Sequence, residues 1–358
     1  PSCAASGGPG SSSPTSTYTD PPLTLVDAGP AADPGATRGL ALLDIDGDGD
    51  EDLHLLNDGA ADRVLRNDGG LAFTEITPDG LGDTGAGRAA AWADYDGDGD
   101  LDVYVARHGE ANLMFEQDAG AFVDVTAFSY GLGDAGAGAD AQWTDHDADG
   151  LVDLYLVQDG GANILYRHFG DLGSGHPMLV AQGFAVLQDG GSGATAVWRD
   201  HDQDGDRDVY LVNHGTANVL ANNFGGQGFD AAGVASLAND DAGRDAVWGD
   251  FDNDGDDDLF LVNDGQPDVL YLLQSGDYVA SIAPVTSDAG PGRAVAAADF
   301  DNDGALDLYV ARRNADDLMF FGDGAGGFVS TPLGLAETAG ASVAVGCADL
   351  DGDGGVDV

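Results

Sequence analysis

The chain has 358 residues, with 64 acidic side chains against 12 arginines and no lysine, for a formal net charge of −52. That balance excludes nucleic acid as a partner, because binding it needs a basic patch, and it disfavours anionic membrane surfaces. No run of about 18 apolar residues is present, so no membrane span is expected, and two cysteines, Cys3 and Cys347, are too few for a disulfide framework.

Residues 1–20 are mostly Ser, Gly, Pro, Ala and Thr and read as a flexible linker. Cys3, preceded by Ser2 and followed by small residues, resembles a bacterial lipoprotein attachment site, for which the linker would be a tether. No secretory leader is visible. The chain starts without Met and stops at Val358, which reads as a fragment or as a mature chain that has lost its leader.

From residue 21 to 358 one unit repeats. Its core is the stretch Asp44 to Leu53, Asp-Ile-Asp-Gly-Asp-Gly-Asp-Glu-Asp-Leu. Later copies begin at Asp94, Asp145, Asp200, Asp250, Asp299 and Asp349, spaced by 50, 51, 55, 50, 49 and 50 residues. Every copy obeys Asp-x-Asp-x-Asp-Gly-x-x-Asp followed by Leu or Val. Seven copies in register mark a repeat architecture.

Alternate carboxylates on a turning loop offer the oxygen ligands that calcium takes. Position 1 is Asp44, Asp94, Asp145, Asp200, Asp250, Asp299 and Asp349. Position 3 is Asp46, Asp96, Asp147, Asp202, Asp252, Asp301 and Asp351. Position 5 is Asp48, Asp98, Asp149, Asp204, Asp254, Asp303 and Asp353, and position 9 is Asp52, Asp102, Asp153, Asp208, Asp258, Asp307 and Asp357. Position 6 is always glycine, which tolerates the positive φ of a sharp bend. Position 7 varies freely, as Asp50, Asp100, Leu151, Asp206, Asp256, Ala305 and Gly355, which fits a backbone-carbonyl ligand. Up to seven Ca²⁺ ions are therefore expected, and their 14 charges would bring −52 to about −38. Four carboxylates within nine residues repel one another unless a cation neutralises them.

Two look-alikes fail on residues. An EF-hand needs a bidentate Glu at position 12, and here that position is Leu55, Val105, Leu156, Leu211, Leu261 and Val310. Leu40 to Gly47 has the hydrophobic strand and Asp-x-Asp-Gly of a haloacid-dehalogenase-type phosphatase, but lacks the Thr that should follow.

The second unit shows the grammar of the repeat. Gly85 to Arg88 is a Gly-rich approach, and Ala89 to Asp94 and Asp102 to Arg107 are strands on either side of the loop. His108 to Ala111 is a turn, and Asn112 to Glu116 and Ala121 to Thr126 are two further strands. Four short strands per unit read as one antiparallel sheet. Trp92, Trp143, Trp198 and Trp248 all stand two residues ahead of a loop, and small residues alternate with them. After the loop, positions 10 and 12 are aliphatic, and position 11 is His54, Tyr104, Tyr155, Tyr210, Phe260 or Tyr309. Apolar residues on both faces require that both faces be covered, as in the stacked blades of a β-propeller. The expected fold is all-β: a seven-bladed propeller of four-stranded blades. Leu23 to Asp27 matches an outer-strand slot and would latch the last blade, whose own outer strands are missing after Val358. Arg38, Arg88, Arg244 and Arg293 stand six residues ahead of a loop and are expected to pair with carboxylates or carbonyls of an adjacent blade.

The loops at this spacing resemble FG-GAP/VCBS repeats, which form integrin-α-like propellers and many bacterial extracellular ones. Asp62 to Asn67 and Asn163 to Arg167 look like the third strand of the bacterial branch, which includes chains with an ASPIC/UnbV segment, absent here. Phe-Gly itself survives only at Phe169, Phe224 and Phe321, and Gly-Ala-Pro is absent. The resemblance implies calcium in the hairpin between the first two strands, held by Asp44, Asp46, Asp48, Asp52 and their counterparts. It also implies a secreted or cell-surface binding, adhesion or scaffold module whose partner is a protein or carbohydrate. Some family members are joined to enzymes, so the alternative is the propeller of a carbohydrate-active enzyme such as a calcium-dependent polysaccharide lyase. Neither Gly-x-Ser-x-Gly nor His-Glu-x-x-His occurs. His146 and His201 fill loop position 2 and read as strand-edge variants; His108 and His214 read as turn residues. The repeat breaks only at the insert Phe169 to Leu179, which His168 and His176 flank and occupy, making it the best place in the chain for a ligand.

Overall fold

The computed structural model describes residues 36–358 except 83, 129–130, 174, 282–289 and 332–341. The expected linker, Cys3 and the latch at Leu23 to Asp27 lie outside the described residues. Six antiparallel sheets of four strands each are present, every one running in simple sequence order from its innermost to its outermost strand. The innermost strands are Ala36–Leu43, Gly87–Ala93, Gly138–Thr144, Gly193–Arg199, Gly243–Gly249 and Gly292–Ala298. Each packs beside the next around a common axis.

The expectation of seven blades is corrected to six. The seventh loop is present, but its unit contributes only residues 342–358 and a single bridge, Ala348 to Asp357. Strands two to four of a blade all follow its loop, and among the described residues the seventh loop is paired with no such strands. Among the described residues, counting loops therefore overcounts blades by one. The seventh segment still fills the gap between blades six and one. Cys347 is 2% exposed and packs with Ala296, Phe300 and Tyr309 of blade six. On the other side Asn67 Nδ2 of blade one donates to the Leu350 carbonyl at 2.8 Å.

The second strands confirm that both sheet faces are covered. Asp153–Gln158, Asp208–Asn213 and Asp258–Asn263 are buried at every residue. Their position-11 side chains Tyr155, Tyr210 and Phe260 are 0% exposed. The tyrosines also tie one repeat to the next: Tyr104, Tyr155 and Tyr210 donate to the carbonyls of Leu132, Leu187 and Leu237 at 2.9, 2.8 and 2.9 Å. A buried phenol needs such a partner. The tryptophans bridge blades as well, Trp143 Nε1 donating to Ala91 O at 3.0 Å and Trp248 Nε1 to Val197 O at 3.3 Å.

In blade one the position-11 residue is His54, fully buried, with Trp92 Nε1 directed at its Nδ1 at 3.3 Å. Burial pushes its pKa down from 6.5 to about 4. The folded state thus binds fewer protons than the unfolded state in that interval, and stability is lost as pH falls from about 6.5 to 4. His54→Phe, the residue blade five already uses, should flatten that acid limb in thermal unfolding scans at stepped pH. It should also move the neutral midpoint only slightly, for the lost Trp92 acceptor. An unchanged acid limb would sink the assignment.

The glycines that open the innermost strands are needed for close approach. A Cβ on Gly243 would lie 2.7 Å from Val212 Cγ1 and 2.9 Å from Asn213 O of the preceding blade. Gly243→Ala should therefore cost about 1–3 kcal/mol, the penalty of overpacking, although alanine constrains the unfolded chain favourably. Urea unfolding checks this; a midpoint at or above wild type would show that the blades can move apart.

Candidate cation loops and the opposite end of the propeller

Six of the loops join an innermost strand to its neighbour at one end of the propeller, the seventh links the bridged residues Ala348 and Asp357, and each is held by its own carboxylates. At position 1, Asp44 Oδ1 accepts from the N–H of Gly47 and Asp48 at 2.8 and 3.1 Å, and Oδ2 from Gly49 at 3.0 Å. At position 5, Asp48 accepts from the N–H of position 7, and this bond recurs in all seven loops. The position-6 glycine has φ between 89° and 100° throughout. Position 4 is also left-handed, and four times the residue is not glycine: Ala148, Gln203, Asn253 and Asn302 have φ of 54°, 60°, 56° and 57°. The sequence carried no rule at position 4, and only the backbone geometry reveals this second bend.

The position-9 aspartates stand apart from the other three. Asp52, Asp102, Asp153, Asp258 and Asp307 are 0% exposed. One oxygen of each accepts from the N–H of loop position 2, as Phe251 to Asp258 at 2.9 Å. The other accepts from the third strand of the same blade, as Leu273 to Asp258 at 2.8 Å. Position 9 is thus a structural clasp as well as a ligand candidate.

The arrangement suits a hard divalent cation. Ligand oxygens of Asp44, Asp46 and Asp48, of Asp145, Asp147 and Asp149, and of Asp94, Asp96 and Asp102 each lie within 4.8 Å of one another. Asp147 Oδ1 and Asp252 Oδ1, both at position 3, are buried with no hydrogen-bond partner. Burial pushes Asp102, Asp258 and Asp307 up to about 7 and Asp208 to about 6. Burial and neighbouring loop carboxylates raise Asp96, Asp252 and Asp301 as well. Orphaned carboxylate oxygens and raised pKa values both mark charge that the protein alone leaves uncompensated. Positions 1, 3, 5 and 9 and the position-7 carbonyl are the groups that could hold the ion.

Loops three and four differ from the rest. Arg167 Nη2 lies 2.5 Å from Asp147 Oδ2 and 3.1 Å from Asp149 Oδ2, so loop three carries a cation of its own. His146 and His201 are read from sequence as strand-edge residues; His146 Nδ1 meets Asp153 at loop position 9, while His201 Nε2 bonds Asn222 Oδ1 of the third strand at 2.9 Å and lies 3.8 Å from Asp208. The insert after His168 lengthens the outer hairpin of blade three, strands Ile164–Asp171 and Pro177–Gln182. His168 is buried in it, while His176 Nδ1 approaches Glu116 Oε2 at 2.6 Å. Tyr95 donates to Glu116 Oε1 at 2.5 Å, and burial with that bond holds the phenol far above its ordinary pKa. A phenol so held keeps its proton, and the group fits a latch between blades two and three.

At the opposite end the expected pairing with an adjacent blade holds for Arg88 and Arg293, which reach back to the preceding blade, whereas Arg38 and Arg244 pair within their own blades. Arg38 and Arg88, on blades one and two, reach Asp58 at 3.5 and 4.0 Å; Arg244 and Arg293, on blades five and six, reach Asp264 at 3.2 and 3.0 Å.

The FG-GAP-like repeat model matches residues 44–105, 94–156, 200–261, 250–310 and 299–358. No curated protein sequence matches the chain. Among solved structures, the BP39L lectin from Burkholderia pseudomallei is similar in fold, with a TM-score of 0.56, 19% identity, and 83% of this chain and 85% of the lectin covered. BBS1N, solved in complex with ARL6DN, aligns with a TM-score of 0.48 and 10% identity over 79% of this chain and 77% of that one.

Proposed function

The chain belongs to the FG-GAP-like repeat family, and from that premise we propose that it is a calcium-stabilised binding or scaffold propeller working outside the cell. The observation that carries the reading is the pair of buried, partnerless position-3 oxygens, Asp147 Oδ1 and Asp252 Oδ1, inside loops whose backbone is already folded around position 1. Calcium supplies the missing positive charge when bound; the chain's own residues do the rest. Position 1 draws the loop's N–H groups inward, position 9 fastens loop to blade, and the stacked blades present turns at both ends. Loops of this kind in extracellular modules bind calcium at roughly 10⁻⁴–10⁻³ M, a range available outside cells. With calcium confined to hairpins, the partner, a protein or a carbohydrate, would meet turn residues at the other end. Arrays of glycans and of extracellular proteins probed with calcium-loaded and with chelated protein test this. A saturable signal that disappears on chelation supports it; equal signals from both forms, or turnover of polysaccharide without retention, would replace it with another function.

A further inference from the structure

The 12 arginines are all the permanent side-chain cations of the chain, and three of them close on one oxygen atom. Arg293 Nη2, Arg244 Nη2 and Arg313 Nη2 lie 3.0, 3.2 and 3.8 Å from Asp264 Oδ2, and His214 Nε2 lies 3.9 Å from it. His214 and Arg313 follow the second strands of blades four and six, while Arg244 and Arg293 are the second residues of the innermost strands of blades five and six. All four sit at the end away from the loops.

One carboxylate at the centre of three guanidinium groups leaves a local excess of positive charge, which Asp159, facing His214, offsets only in part. Fixing a carboxylate in place needs one arginine, and like charges held this close repel. Arg293 shows the strain: burial first, then Arg244 and Arg313, draws its pKa below the ordinary value. The Nε atoms of Arg244 and Arg293 are buried and have no acceptor. Across the rest of this end, Arg38 and Arg88 share Asp58, and Arg88 also faces Asp159. Among the described residues the cluster therefore has unused donors and unbalanced positive charge, in a chain whose total is −52.

We propose that Arg244, Arg293, Arg313 and His214 form a binding site for one compact oxyanion, a carboxylate or sulfate-type group. The acidic remainder of the surface repels an extended polyanion, so a single anionic group is what the site takes. This deepens the binding-module reading by naming a ligand chemistry, and it is read by direct titration, so its failure is separable from failure on the arrays.

Calorimetric titration of the calcium-loaded chain uses sodium sulfate, sodium acetate and glucose 6-sulfate, with ionic strength held constant by chloride. Saturable one-site binding of at least one probe above the chloride background is expected. Sulfate and glucose 6-sulfate binding alike would mean that the free ion suffices; tighter binding of the sugar would place the anion on a larger ligand. Arg293→Gln should weaken binding about tenfold, the loss of a charge-assisted hydrogen bond. Asp264→Asn, which removes the competing resident carboxylate, should tighten it. Arg313→Gln, the most exposed of the three, supplies a folded variant with weakened binding if Arg293→Gln does not fold. No binding above chloride, or affinities in all three variants equal to wild type, overturns the proposal.

Discussion

Stripping calcium from the loaded propeller is expected to lower its unfolding midpoint by roughly 20 °C. At a calcium concentration about tenfold above the dissociation constant each site contributes about 1.4 kcal/mol, and seven sites about 10 kcal/mol. For a domain of this size one kcal/mol moves the midpoint by about 2 °C or more. The effect carries a pH signature with a definite sign. Without metal, Asp102, Asp258 and Asp307 have folded-state pKa values near 7, well above about 3.9 in the unfolded chain. The folded state then holds the extra protons, and stability is present below about pH 4 and lost as pH rises through 7. With calcium the trend reverses, because the ion needs ionised carboxylates. The gap between loaded and chelated midpoints should therefore widen from pH 5 to pH 8. Scanning fluorimetry with calcium and with EDTA, alongside elemental analysis, checks both parts. A metal-to-protein ratio near seven is expected, with loop three, already paired to Arg167, the first to fall short. Coincident melting curves at every pH would mean that the loops do not hold metal.

The second large effect separates clasp from ligand within one loop. Asp258 is fully buried and accepts from the N–H of Phe251 and of Leu273. Asp258→Ala leaves two buried donors unpaired and should cost about 4 kcal/mol whether calcium is present or not. Asp254, at position 5 of the same loop, is exposed and accepts from Asp256 N–H, at 3.0 Å. Asp254→Asn should leave the midpoint in EDTA within a degree or two of wild type and lower it only in calcium, by the share of one site. Chemical unfolding of both variants in both conditions gives the comparison. Equal, calcium-dependent losses would make position 9 a ligand and nothing more, and a loss at Asp254 in EDTA would make the loop carboxylates structural throughout.

Much of this was legible in the residues. The Asp-x-Asp-x-Asp-Gly-x-x-Asp rule located every loop. The two-sided apolar pattern around Tyr155, Tyr210 and Phe260 called for covered blades, and the spacing of Arg88 and Arg293 matched their reach to the preceding blade. The left-handed turn at Ala148, Gln203, Asn253 and Asn302 was not legible, because those residues have no shared chemistry and the bend is imposed by N–H groups converging on position 1. The place of His146 beside Asp153 was hidden for a similar reason, since position 2 in the other loops is Ile, Tyr, His, Phe or Leu and shows no common polar role.

The sequence by itself therefore determined what each unit is: a strand, an oxygen-lined loop and a second strand buried on both faces, because these follow from local periodicity and the chemistry of carboxylates. Only the tertiary structure decided how many blades those units complete, since a blade needs the strands beyond its loop. It alone also decided that the fourth aspartate clasps the third strand, and that Arg244, Arg293 and Arg313 gather at Asp264. Those facts depend on groups far apart in the chain being brought within hydrogen-bond reach, which no local pattern encodes.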